Sequence, residues 1–369
     1  MHRSFLFLLL PLTFGCATTP ATPRAAAPVQ AAPAEKKGLL SLPEILQRME
    51  ASPVKYELGE KDSPPDGWAD TLWPQRIPPL PYARVVREGG SATLAPPHET
   101  PESERLLAEA EPYFKDNRFD EAAKFYARAT EACPTCANAW IFRGDAALFA
   151  ARPEEALGYY RKAAELNPDD YRGHFFMGHA LSRLGRRAEA REAFASALVL
   201  NPRLPTLRTL LKKYPGFGLV ITPDVVVPRG MAERTETGVA ARYDGHYGTA
   251  WLAFAACKAL WLGEPSHRKE MTGSDSDTQF TSTEELECLG AALSGYEVAK
   301  EQKDADADTT IPDKGLERLE RIVEAGMVDM LVLFELASRV HPQATLTMSE
   351  DARQRLRAYI LEFVLLERG

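Results

Sequence analysis

Cysteine, histidine and clustered carboxylates are the residues with the most chemistry to offer in this chain, and their spacing decides what that chemistry can be. Cys133 and Cys136 enclose a Pro-Thr pair, a spacing that suits thiol–disulfide exchange when the first cysteine opens a helix and the helix dipole lowers its pKa. Here Cys133 falls at the end of a helical pattern with no strand–helix alternation around it, so a local disulfide is the expectation. A zinc site would need a second such pair. Cys257 and Cys288 are not spaced as one and lie in helical patterns, where they are read either as a second disulfide or as two buried thiols. His174 and His179 stand five apart on one helix, whereas a pair of metal ligands on one helix face stands four apart. Asp244, His246 and Tyr247 have the right types for acid–base work. No Gly-x-Ser-x-Gly elbow, His-Glu-x-x-His pair or phosphate-binding loop accompanies them, and a turn before a buried helix accounts for the stretch. The expectation is a chain that is not an enzyme, with no cofactor and no metal.

One acidic run comes closer to a known ligand set. Asp304, Asp306 and Asp308 alternate with small residues between two helical patterns, with Ile311 after them, and the run resembles an EF-hand calcium loop. Thr309 stands where that loop needs glycine, and Gly315 where it needs the bidentate glutamate. A solvated acidic loop is the reading.

The elements that must position any site are set by a pattern that returns every 34 residues between Ser103 and Leu204. In the third copy, small residues fall at Gly178, Ala190 and Ala197, large ones at Met177, Leu181 and Phe194, and Pro202 closes the unit. The second copy gives Trp140, Gly144, Ala156, Tyr160, Ala163 and Pro168, and the first gives Leu106, Ala110, Tyr113, Ala122, Tyr126, Ala129 and Pro134. These residues resemble the signature of the tetratricopeptide repeat, a pair of closely packed helices that stacks into a solenoid. The first unit departs from it by carrying Pro112 inside its leading helix and Ala110 in place of glycine, which predicts a late start or a kink. Pro205 to Tyr214 keeps the register, with Leu207, Leu210 and Leu211 on one side, and resembles the helix that caps such an array.

The resemblance implies a binding mode. In these repeats the leading helices line a concave groove, which places Asn138, Ile141, Phe142, Asp145, Leu148 and Phe149 there from the second unit. The third unit contributes Arg172, Phe175, Phe176, His179, Ser182 and Arg183, and the first Glu104, Leu107, Ala108, Glu111, Phe114 and Lys115. The groove is aromatic with scattered charges, a channel for an apolar peptide or helix; the alternative is that the chain's own Pro-rich or C-terminal segments fill it. The clamp with which some of these domains hold the carboxylate tails of chaperones is absent. Leu107, Glu111, Arg172 and Phe176 occupy its places, and only Arg172 offers a suitable charge.

The N-terminus reads Met1-His2-Arg3, an apolar run from Phe5 to Phe14, then Gly15-Cys16. The basic start, short apolar run and small residue describe a secretory signal, too short for a permanent span. With Cys16 next it resembles a bacterial lipoprotein signal, although Thr13 stands where leucine is usual. The resemblance implies that Cys16 is lipidated and, with Ala17 after it, that the protein is held at the outer membrane facing the periplasm. Residues 16–38 are an Ala/Pro tether that cannot bury apolar surface. Residues 39–101 hold a short helix at Leu39 to Ala51, then a Pro- and Gly-rich segment whose Tyr56, Trp68, Trp73 and Tyr82 suit either a strap on a folded neighbour or free coil.

The repeats take residues 102–215, and residues 216–369 read as a second, mostly helical domain that resembles no known family. It opens with Val- and Ile-rich sequence at Gly218 to Val227, expected as an edge strand against Val239 to Tyr243 in a small hairpin. A buried helix at Tyr247 to Leu262, a polar loop at Glu264 to Phe280, and helices at Ser282 to Lys303, Pro312 to Ala325, Val328 to Val340 and Ser349 to Arg368 follow. The length of 369 residues, 45% apolar and 26% charged, supports two folded units. The net charge of −8 without a Lys/Arg face excludes nucleic acid as a partner. The expected fold is therefore mainly α: three tetratricopeptide repeats with a capping helix, then a helical domain. The expected function is a lipid-anchored binding or assembly protein whose groove holds a protein or peptide of an envelope complex; the alternative is an enzyme or ligand-binding activity in the C-terminal domain, with the repeats as a docking arm.

Overall fold

The computed structural model describes residues 40–60, 72–225, 229–245, 249–276, 280–303 and 314–368. The signal and tether with Cys16, the aspartates 304, 306 and 308, and His246 and Tyr247 lie outside the described residues.

The repeats form as three helix pairs and a cap. The first pair is α2 (Pro101–Lys115) with α3 (Phe119–Ala132), the second α4 (Ala137–Phe149) with α5 (Pro153–Leu166), the third α6 (Tyr171–Arg183) with α7 (Arg187–Leu200); α8 (Pro205–Lys213) caps them. Each helix packs on its partner and on the next pair. At Gly144 an added Cβ would lie 2.4 Å from the Tyr160 ring, and at Gly178 2.5 Å from Phe194. These are the close helix approaches that the repeat pattern predicts. The turns inside the pairs share a left-handed residue at equivalent places: Asn117 (φ 59°), Ala151 (φ 60°) and Gly185 (φ 73°). The leading helix of the first unit does not start late. Thr100 caps its N-terminus by accepting from the Ser103 backbone, and the helix runs through Pro112 to Lys115.

Ahead of the repeats, α1 (Leu42–Ala51) opens with a Ser41–Glu44 capping box and buries Ile45 and Met49. The segment after it was expected to be irregular, yet it carries three strands: β1 (Lys55–Glu60), β2 (Arg84–Glu88) and β3 (Ser91–Ala95). Strands β2 and β3 make an antiparallel hairpin around Gly89 and Gly90, both at positive φ. Strand β1 pairs parallel with β6 (Gly238–Tyr243), which pairs antiparallel with β5 (Gly230–Arg234).

The expected pairing of the Val/Ile-rich segment with 239–243 is thus corrected. Its strand, β4 (Leu219–Ile221), pairs with β7 (Leu365–Glu367), where the last helix had been expected to continue. The small sheet packs against α9 (Thr249–Gly263), which is buried nearly all round, with α1 and α11 (Ser282–Lys303) against it as well. The polar loop expected after α9 contains instead a short helix, α10 (Pro265–Thr272), with His267 and Arg268 buried. Helices α12 (Lys314–Glu324), α13 (Val328–Val340, with a π-helical stretch Val332–Ala337) and α14 (Glu350–Tyr359, ending in the π turn Ile360–Val364) complete the chain. One hydrophobic core runs from the third repeat into this region, joining Phe194 and Leu198 to Leu356, Ile360 and the residues around α9. Among the described residues no helix is long and apolar enough to cross a membrane.

Candidate peptide-binding groove

The leading helices α2, α4 and α6 stand side by side, so residues that recur in register form rows across them. One row is Glu111, Asp145 and His179; behind it, on the second helices, stand Tyr126, Tyr160 and Phe194. The Tyr160 hydroxyl donates to Asp145 Oδ1 at 2.7 Å. Asp145 is 9% exposed and has no ion pair among the described residues, so burial pushes its carboxyl up to about 7, against the pull of Tyr160 and Arg172. The Tyr126 hydroxyl is wholly buried with no partner among the described residues. Burial raises its pKa, and the charges of Glu111 and Asp145 add to the rise.

A second row, Glu104, Asn138 and Arg172, lies toward the N-terminal ends of the helices. Arg172 is fully engaged. It pairs with Asp170 at 2.7 Å, donates to Asn138 Oδ1 at 2.9 Å and lies 3.5 Å over the Tyr82 ring. Close to it Glu99, from the segment before α2, has both carboxylate oxygens buried without a partner among the described residues. Burial pushes that carboxyl up to about 7.

The aromatic residues divide into an open and a closed group. Phe149 is half exposed and rests on Phe114 and Phe119, with ring centroids 5.5 and 5.7 Å away; Phe142 stacks on Tyr126 at 5.7 Å, and Phe176 on Tyr160 at 5.3 Å. Ile141, Phe175 and His179 are buried instead. His179 lies under Tyr214 and Phe217, which follow α8, at centroid distances of 6.4 and 6.0 Å. Its Nε2 has no partner among the described residues, and burial, Arg183 and Lys213 lower its pKa to about 4. Arg183 is exposed. The structure thus places Asn138, Phe142, Asp145 and Phe149 on α4 and Arg172 and Phe176 on α6, and covers His179 with the chain's own Tyr214 and Phe217.

Cys133 and Cys136 are joined as a disulfide, one at the end of α3 and the other just before α4, and Cys257 and Cys288 join α9 to α11. His98 comes within 4.8 Å of both sulfurs of the first pair. Oxidised, that pair offers no thiolate to a metal. His174 Nε2 lies 3.3 Å from the Pro168 carbonyl and apart from His179's aromatic lid. Asp244 is buried and paired with Arg229 at 3.3 Å, where it helps close the β5–β6 hairpin.

The sequence reading passed over a buried charged cluster in the C-terminal region. Lys258 on α9 donates to Glu284 at 3.0 Å and Glu285 at 2.6 Å; Arg268 donates to Glu284 at 3.0 Å, and Trp73 Nε1 to Glu285 at 2.8 Å. Beside them Glu287 accepts from Trp261 at 2.6 Å and lies 3.0 Å from His267. Burial works to lower the Lys258 pKa, and the two glutamates more than reverse it. A lysine inside an otherwise apolar helix was the available signal.

Residues 137–170 and 171–203 match the family model of the tetratricopeptide repeat, so the chain carries these repeats. No curated protein matches the chain. Among solved structures, the first such domain of Spaghetti bound to an HSP90 peptide is 23% identical, covering 31% of this chain and 90% of that one with a TM-score of 0.30. The OM64 domain of Arabidopsis is 24% identical over 31% of this chain and 94% of its own, with a TM-score of 0.30. The Yersinia enterocolitica secretion chaperone SycD with a YopD peptide is 18% identical over 31% and 87%, with a TM-score of 0.28.

Proposed function

We propose that this chain is a non-catalytic binding protein of a bacterial envelope, held at the outer membrane through a lipid on Cys16 and facing the periplasm. Its repeat groove holds a segment of another protein of an envelope assembly. The observation that carries the groove reading is Phe149, half exposed on top of Phe114 and Phe119. Large rings left open to water at the rim of a rigid helical array offer contact area at small entropic cost. The open part is formed by the first two repeats. Phe175 and His179 serve internal packing, which supports the closed-groove alternative for the third repeat only. The apolar run ending at Gly15-Cys16 and the Ala/Pro tether after it support the anchor.

The test compares the wild-type protein with Phe149→Asp in crosslinking pull-downs from native envelopes. The variant is expected to lose the crosslinked partner while its helical circular dichroism is unchanged. Equal capture by both proteins would count against the groove. Cys16→Ala is expected to move the protein from the membrane to the soluble fraction, and retention on membranes would remove the anchor from this reading.

A further inference from the structure

The open half of the groove has a sign. Of the two carboxylates in its central row, Glu111 has one ion-pair partner among the described residues, Lys115 at 3.2 Å, itself a groove position of α2, and Asp145 has none. The cation nearest in the rows, Arg172, is consumed by Asp170, Asn138 and the Tyr82 ring. Between the two carboxylates in register stands Tyr126, completely buried, its ring stacked on Phe142 and its hydroxyl without a partner among the described residues. A buried hydroxyl left unpaired costs roughly 1–3 kcal/mol. Asp145 meets the cost of burial by holding its proton up to about pH 7, and a cation placed beside it would favour the ionised carboxylate.

Resting on the groove reading above, we infer that the segment bound there is a cationic peptide, whose lysine or arginine enters between Glu111 and Asp145 while a neighbouring apolar side chain lies on Phe149. A guest ammonium or guanidinium donates to Asp145 and Glu111, the two carboxylates whose charges both bear on Tyr126. Phe142 and Phe176, half-buried and stacked on Tyr126 and Tyr160, add aromatic surface beside the row. A guest carboxylate would instead meet Glu104, Glu111 and Asp145. This is the reverse of a clamp for acidic peptide tails.

The experiment uses the full protein without its lipid and three short fluorescein-labelled peptides that differ only in a central Phe-Lys-Leu, Phe-Gln-Leu or Phe-Glu-Leu. Fluorescence anisotropy is expected to give the Lys peptide at least about a tenfold lower Kd than the Gln peptide, with the Glu peptide weakest. The conservative pair Glu111→Gln and Asp145→Asn, checked for native circular dichroism, is expected to bring the Lys and Gln peptides within about twofold of each other. Equal affinity of the Lys and Gln peptides for the wild type, or a Lys preference that survives in the double variant, overturns the cationic assignment. Phe149→Asp separates the two readings. If it weakens all three peptides alike while Lys and Gln bind equally, the groove stands and its proposed charge preference falls. Binding of none of the three, or indifference to Phe149→Asp, counts against the groove and the inference together.

Discussion

Tyr160 and Asp145 tie the second helix of a repeat to its first: the hydroxyl donates to Oδ1 at 2.7 Å, inside the wall of the groove. The bond satisfies one oxygen and leaves the charge without a counterion. With its carboxyl pushed by burial to about 7 from an ordinary 3.8, folded Asp145 holds a proton that the unfolded chain releases. Between those values the folded state binds more protons, so this residue's contribution to stability falls as pH rises from about 4 to about 7 and is level above. Asp145→Asn keeps an acceptor for Tyr160 and removes the titration. Urea unfolding is expected to show the variant more stable than wild type by on the order of 2 kcal/mol at pH 8 and nearly equal to it at pH 4. A deficit at pH 8 would mean that the carboxylate is stabilised by something other than Tyr160.

His179 works in the opposite direction. Burial beneath Tyr214 and Phe217 lowers its pKa to about 4, so the folded protein keeps it neutral while the unfolded chain takes up a proton near the ordinary 6.5. Stability from this site is present above pH 6.5 and is lost as pH falls toward 4. His179→Phe removes the unpartnered Nε2 and keeps an aromatic ring under the lid. The variant is expected to gain on the order of 2 kcal/mol over wild type at pH 5, with a smaller difference at pH 8, in paired denaturant melts. A difference independent of pH would assign the effect to packing alone.

The turn inside each helix pair needs a left-handed residue, and the three repeats fill it with Asn117, Ala151 and Gly185. Alanine is the poor choice, because its Cβ meets the following carbonyl in that conformation. Ala151→Gly is expected to stabilise the second repeat by about 0.5–1 kcal/mol, read as a rise in the urea midpoint with an unchanged slope. Ala151→Val should lower it. If both changes were neutral, the turn would be relaxed in solution.

How far the sequence foretold this arrangement depends on how local each cause is. The repeats were legible because a glycine or alanine facing an aromatic ring recurs in register, and Gly144 under Tyr160 is that rule in atomic detail. The capping helix was legible because Pro205 to Tyr214 keeps the register of the repeats. Strand β1 was not: Lys55 to Glu60 gains its partner only when residues 238–243 arrive alongside it, and nothing nearby announces a parallel edge. The β2–β3 hairpin did carry a local signal in Gly89-Gly90, which the surrounding prolines masked. The resemblance to the repeat family implied that Asp145 and Phe149 lie on a leading helix, and α4 carries both. It did not reveal that Tyr214 and Phe217 would close over His179, nor that Tyr82 and Asp170 would occupy Arg172, because those contacts join segments without a shared period.

Trp73 shows how the aromatic, proline-rich segment, read from sequence as either a strap or free coil, is held to the rest of the fold. Its indole is 1% exposed, its Nε1 donates to Glu285 at 2.8 Å, and its backbone carbonyl accepts from Arg339 at 3.1 Å. Glu285 relies on that donor and on Lys258, for its second oxygen is buried with no partner among the described residues. Trp73→Phe keeps most of the apolar contact and deletes the donor, for an expected loss of about 1–3 kcal/mol. Trp73→Ala adds a cavity, for about 3–5 kcal/mol in all. A double-mutant cycle of Trp73→Phe with Glu285→Gln isolates the hydrogen bond and is expected to return a coupling of about 1 kcal/mol or more. Additive losses would leave Trp73 as a hydrophobic plug only, and the buried carboxylate would then be held by Lys258 alone.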